Sequence, residues 1–148
     1  NKLYINSFDS NKLKILRLHM DLYNNEIPDF TLIPNLIELD LSRNNLTKLP
    51  LMSNLKKLKI LNLSSNNIDK ELDLNYSFPF VEKLFINFNK NKNQLIIKGN
   101  NLILISIILT NAKTDNLKAN IITKGNENVF FMSSYFPKWQ EKFAKKFL

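Results

Sequence analysis

Few side chains in this 148-residue chain have the makings of a reactive centre. There is one histidine, His19, and no cysteine, so the usual nucleophile–base pairs and thiolate or imidazole metal clusters lack their parts. Glu38 and Asp40 stand two residues apart, which in a strand turns both carboxylates to one side, where a pair can move protons or hold a cation. Arg17 and Arg43 fall on the same predicted face, and their charges make a surface ion-pair cluster the better reading. Within it Arg17 and Asp40 are expected to lie side by side as an exposed pair. Two distant glycines, Gly99 and Gly125, cannot form a phosphate-binding loop. Each follows a lysine shortly before an apolar run, and each is expected to supply a turn with positive φ. The chemistry points to binding rather than catalysis, with no metal, cofactor or small-molecule substrate.

What must position these residues is a repeat. LIELDLSRNNL begins at Leu36 and LKILNLSSNNI at Leu58, a shift of 22 residues. Leu36/Leu58, Leu39/Leu61, Leu41/Leu63, Asn44/Asn66 and Leu46/Ile68 superimpose. A fixed period in the twenties means stacked units, none of which can bury its leucine face alone. Within x-L-x-L-x the side chains alternate, so Leu39 and Leu41 face inward. The asparagine that follows can donate and accept, and so can satisfy backbone groups in a buried turn.

These residues resemble the short, typical leucine-rich repeats. The resemblance implies an α/β solenoid, a horseshoe with a parallel β-sheet on its concave face and loops or short helices behind. It also implies an asparagine ladder through Asn44, Asn66 and Asn89. The chain is expected to form one domain: residues 1–12 an N-terminal cap or truncated repeat, 13–111 five repeats, 112–135 an irregular sixth unit, and 136–148 a capping helix. Asp21 takes the ladder position of the first unit, and Asn87 to Asn93 read as a polar loop. A last strand is expected at Val129 to Phe131.

Counting each unit from its first leucine, the outward positions of the first three are mostly polar: Ile15, Arg17, His19 and Met20, then Glu38, Asp40, Ser42 and Arg43, then Ile60, Asn62, Ser64 and Ser65. The next two give Lys83, Phe85, Asn87 and Phe88, then Leu104, Ser106, Ile108 and Leu109, so the face turns from charged to apolar along its length. The run LILISIIL (102–109) reads as a strand covered on both sides. A partner protein, the chain's own tail, or a register slip of one residue would each account for that face. Recognised members of the family scaffold other proteins. The expected function is therefore non-catalytic protein binding on the concave sheet, as a subunit or bound factor of a larger assembly. The candidate contact residues are Phe85, Phe88, Leu104, Ile108, Arg17, Asp40 and Arg43.

The net charge of +8 raises a second reading, a basic binder of nucleic acid or of an acidic membrane surface. It would use the scattered lysines and the tail from Phe136. There Trp139, Phe143 and Phe147 share one helical face, with Lys142, Lys145 and Lys146 elsewhere. The absence of cysteine favours the cytoplasm. The start at Asn1 suggests processing, trimming or a longer parent chain, which keeps secretion open.

Overall fold

Once per repeat the chain lays a strand beside the previous one, in parallel and without changing order. The computed structural model describes residues 11–18, 30–49, 52, 54–68, 71–89, 94–110, 118–122 and 128–133; at 31, 88–89, 94–95, 108–110 and the last two stretches it describes the backbone alone. The elements are β1 (Ile15–Arg17), β2 (Glu38–Asp40), β3 (Ile60–Asn62), β4 (Glu71–Asp73), α1 (Leu74–Ser77), β5 (Lys83–Asn89), β6 (Gln94–Lys98), β7 (Leu104–Thr110), β8 (Lys118–Ile122) and β9 (Asn128–Ser133). Strands β1-β2-β3-β5-β7-β9 form a six-stranded parallel sheet, and β4-β6-β8 form a second, three-stranded one.

Register carries the leucine pattern into the core. Leu16, Leu39, Leu61, Leu84 and Ile105 pair in one row across the main sheet. The last four of these are fully buried, with Leu41, Leu63, Ile86 and Ile107 beneath them. Leu16, at the end of the row, is only partly buried against the cluster. Each such burial contributes about 1.5–3 kcal/mol, so adjacent rows hold one another in place.

A tight turn precedes β2, β3, β5 and β7. Leu36 N–H donates to Ile33 O at 3.2 Å, Leu58 to Leu55 at 3.0 Å, Val81 to Phe78 at 3.2 Å and Leu102 to Gly99 at 3.3 Å. The first residue of the turn is a large apolar side chain three times and glycine once. Gly99 does not adopt the positive φ expected of it; a Cβ there would fall 2.5 Å from Leu102 Cδ1 and 3.5 Å from Leu74 Cδ1. Glycine is needed for space, because Leu102 folds back over it. Gly99→Ala is expected to lower stability by about 1–3 kcal/mol through overpacking, read as a drop in the urea midpoint.

The asparagine ladder forms at two of its three expected rungs. Asn44 Nδ2 donates to Leu18 O at 2.8 Å and to Leu41 O at 2.9 Å. One repeat later, Asn66 Nδ2 donates to Leu41 O at 2.8 Å and Leu63 O at 3.1 Å, and its Oδ1 accepts from Leu46 N at 3.1 Å. The side chain of Asn89 lies outside the described residues; its backbone continues β5, in register with Thr110, where the ladder would need a turn. Position eight explains the change. Arg43 and Ser65 turn the chain out of the sheet with φ of 58° and 57°. Bulky Phe88 stays extended instead, as β-propensity and the cost of left-handed backbone both favour. The polar stretch expected to loop from Asn87 therefore continues as strand through Asn89.

Behind the main sheet the expected loops or short helices give way, from β4 onward, to the second sheet. Leu72 pairs with Ile97, and Ile97 with Ile121. Leu72 and Ile97 are buried, which closes the core from the back. Lys98 Nζ bonds to Glu71 on the outer side; that hydrogen bond and charge raise the lysine's pKa above its ordinary value. The helical part of the described chain is one four-residue turn, α1, capped by Asp73 Oδ1 accepting from Asn75 N at 3.0 Å, and a single 3-10 turn at Phe30–Leu32. The last expected strand is present as β9. Most of the N-terminal cap, His19, Asp21, Gly125 and the tail from residue 134 lie outside the described residues.

Candidate functional site

The face of the main sheet turned away from the core carries the residues singled out from the sequence. Parallel register puts Arg17, Asp40, Asn62, Phe85, Ser106 and Phe130 in one row across six strands. The flanking row runs Ile15, Glu38, Ile60, Lys83, Leu104 and Asn128. The first row changes character at β5, while the flanking row mixes charged and apolar residues along its length.

Over the first three strands the polar groups bind one another. Arg17 and Asp40 are register neighbours as expected, but the guanidinium turns diagonally and donates to Glu38 Oε1 at 2.8 Å. The reason is that Asp40 is engaged elsewhere. Its Oδ1 accepts from Ser42 N at 2.8 Å and its Oδ2 from Asn62 Nδ2 at 3.0 Å, and the residue is only 9% exposed. Asn62 repeats the device, its Oδ1 accepting from Ser64 N at 3.0 Å. A side-chain acceptor at this position takes the N–H two residues on and helps to end the strand. Arg43 is exposed at the far end of β2. Arg17–Glu38 is solvent-facing, with side chains 57% and 25% exposed, and such a pair contributes at most about 1 kcal/mol.

From β5 onward the same row holds Phe85, which has no acceptor to offer, and the strand runs on. Phe85 and Leu104 are half-buried, and Ser106, small between two aromatic register positions, is buried. Asn87 Oδ1 is buried without a hydrogen-bond partner, an unusual state for a native polar atom. Ile108 pairs with Asn87 in the backbone register, and its side chain lies outside the described residues. Phe88 does not share Phe85's placement: the two-residue period of β5 puts position 88 in step with buried Leu84 and Ile86. Its side chain, too, lies outside the described residues. The structure thus brings Phe85 and Leu104 onto one face, sets Arg17, Asp40 and Arg43 at the other end of it, and separates Phe88 by backbone phase.

Among the described residues no three of His, Cys, Asp and Glu gather as a metal site would require. No described helix is long and apolar enough to cross a membrane. What sequence reasoning missed is the edge of the sheet at which the strands begin. There lysines and exposed isoleucines are interspersed with one glutamate, and the signal was the single residue between each turn and its strand.

The comparisons agree with this geometry. Residues 34–77 match the family model described as Leucine Rich repeats (2 copies). Over 81 residues, 55% of this chain, the sequence is 31% identical to Leucine-rich repeat and WD repeat-containing protein 1 of Xenopus tropicalis, and the match covers 12% of that relative's length. No solved structure matches the chain with significance. Residues 34–77 are thus similar to leucine-rich repeats. Such repeats generally serve protein–protein interaction, and proteins built on them are typically not enzymes.

Proposed function

We propose that this chain is a non-catalytic protein-binding module, a subunit or bound factor of a larger assembly. Its parallel sheet would line the concave side of a short solenoid and take a partner at its C-terminal, apolar end. The observation that carries this reading is the break in the outward row at Phe85. Before it, Arg17, Asp40 and Asn62 make their bonds to side chains and backbone of the same sheet. After it, Phe85 and Leu104 present half-buried apolar surface. Interface cores are enriched in aromatic anchors, which matches the second half and not the first.

Phe85, Leu104 and Ile108 would form the centre of the contact, with Arg17, Asp40 and Arg43 at its polar end. The test is direct binding between the full chain and a partner captured from its native source, identified by mass spectrometry and then purified. Phe85→Ser should weaken that complex by about thirtyfold or more, the loss typical of an anchor residue. An unchanged affinity would remove Phe85 from the site and the concave face with it.

A further inference from the structure

The edge of the main sheet at which its strands begin has a composition of its own. Backbone hydrogen bonds set Lys14, Ile37, Lys59, Glu82 and Ile103 in one line across five repeats. Ile37 N donates to Lys14 O at 2.8 Å, Lys59 N to Ile37 O at 2.8 Å, Glu82 N to Lys59 O at 2.9 Å and Ile103 N to Glu82 O at 2.8 Å. Beside this line, Lys56 and Lys57 tip the turn before β3, Phe80 tips the turn before β5, and Lys83 follows Glu82. Of the six large apolar side chains exposed among the described residues, four lie on this edge: Ile15, Ile37, Phe80 and Ile103, at 47%, 39%, 36% and 50%.

The carboxylates here are already taken, Glu82 by Lys59 at 2.5 Å and Glu38 by Arg17 at 2.8 Å. Lys14, Lys56, Lys57 and Lys83 face no carboxylate among the described residues. Lys57 reaches only the neutral Oδ1 of Asn35, at 2.5 Å. The rim therefore offers unneutralised ammonium groups with aliphatic and aromatic surface set between them.

We infer that this rim is a docking strip for an acidic protein segment that carries apolar side chains between its carboxylates. The inference rests on the protein-binding reading of the sheet and supplies the chemistry of the partner. Charge complementarity selects the acidic groups, and Ile37, Phe80 and Ile103 select the apolar ones. A nucleic acid fits less well. Glu82 interrupts the row where a continuous phosphate track would pass, with Glu38 beside it, and among the described rim residues Phe80 alone gives bases a plane to stack on. Five strands about 4.8 Å apart span roughly 19 Å, which an extended segment of about six residues crosses.

The probe is a fluorescein-labelled peptide of about ten residues alternating glutamate with leucine, titrated by anisotropy against the full chain. Controls replace its leucines by serine or its glutamates by lysine, and a labelled oligouridylate of equal charge is run beside them. The alternating peptide should bind tighter than every control. The variant Lys14→Glu/Lys56→Glu/Lys57→Glu should weaken it about tenfold or more, as should Ile37→Ser/Ile103→Ser. All five positions are exposed, so circular dichroism should be unchanged. Phe85→Ser should leave this peptide's affinity unaltered, which separates failure of the rim from failure of the concave site. No binding of the peptide, equal binding by the lysine variant, or tighter binding of the oligouridylate would each overturn the inference.

Discussion

Replacing Asn44 by alanine is expected to destabilise the chain by about 1–3 kcal/mol, chiefly the cost of leaving the Leu18 carbonyl without this donor, since Leu41 O keeps its bond from Asn66. Asn44 is 5% exposed, and its amide is shared between Leu18 O in the repeat before and Leu41 O in its own. Asn66→Ala should cost somewhat less, because that side chain is only partly buried although it serves three backbone groups. Asn89→Ala provides the contrast. It occupies the equivalent sequence position but sits in a strand whose backbone is paired with Thr110, so there is no turn to support. Its cost should stay below about 1 kcal/mol, the range of substitutions away from buried polar networks. Urea midpoints of the three variants decide the matter; equal losses at Asn44 and Asn89 would mean the ladder continues into the fourth unit.

The second large effect is on binding. Phe85→Ser should remove partner binding while the thermal transition persists. Phe85 stands on the outward side of β5, whose inward side is held by Leu84 and Ile86, both essentially buried. Losing a half-buried aromatic ring costs the fold on the order of 1–2 kcal/mol of apolar contact. That is a fraction of a domain's stability but a large part of an interface's energy, since a few central anchors carry most of it. Arg17→Ala, at the polar end, should change affinity by less than about threefold, because its ion pair is solvent-facing and screened. Loss of the thermal transition in Phe85→Ser would instead place that ring under the chain's own cover.

Where local chemistry repeats, the sequence was enough to read the fold. From Leu36 to Ile68 the leucine spacing, the two ladder asparagines and the parallel register of β2 and β3 all follow from one period. The reading failed where one residue type changed the backbone. Arg43 and Ser65 leave the sheet with positive φ, which shifts the phase of whatever follows. Counting Phe88 by their rule set it outward, whereas an unbroken strand returns it to the phase of Leu84 and Ile86. The second sheet was missed for a related reason. Leu72 and Ile97 recur at nearly the repeat period, but each stands in a short strand without the leucine motif that would have marked it. Ion pairing was half legible: backbone register set Arg17 beside Asp40, but Ser42 N and Asn62 Nδ2 already held that carboxylate. The outward face was legible as polar then apolar, because β-alternation survives through Phe85 and Leu104. The basic rim was not, since its lysines are scattered in sequence and only the backbone line from Lys14 to Ile103 gathers them.

The most direct test of the central claim is amide hydrogen exchange on the full chain, free and bound to the purified partner. Docking on the apolar end of the outward face should slow exchange across Lys83–Asn89 and Leu104–Thr110, the two long strands that carry Phe85, Leu104 and Ile108. Exchange at the back strands Glu71–Asp73 and Gln94–Lys98 should stay unchanged. Slowing confined to those back strands, with none at Lys83–Asn89, would contradict the account.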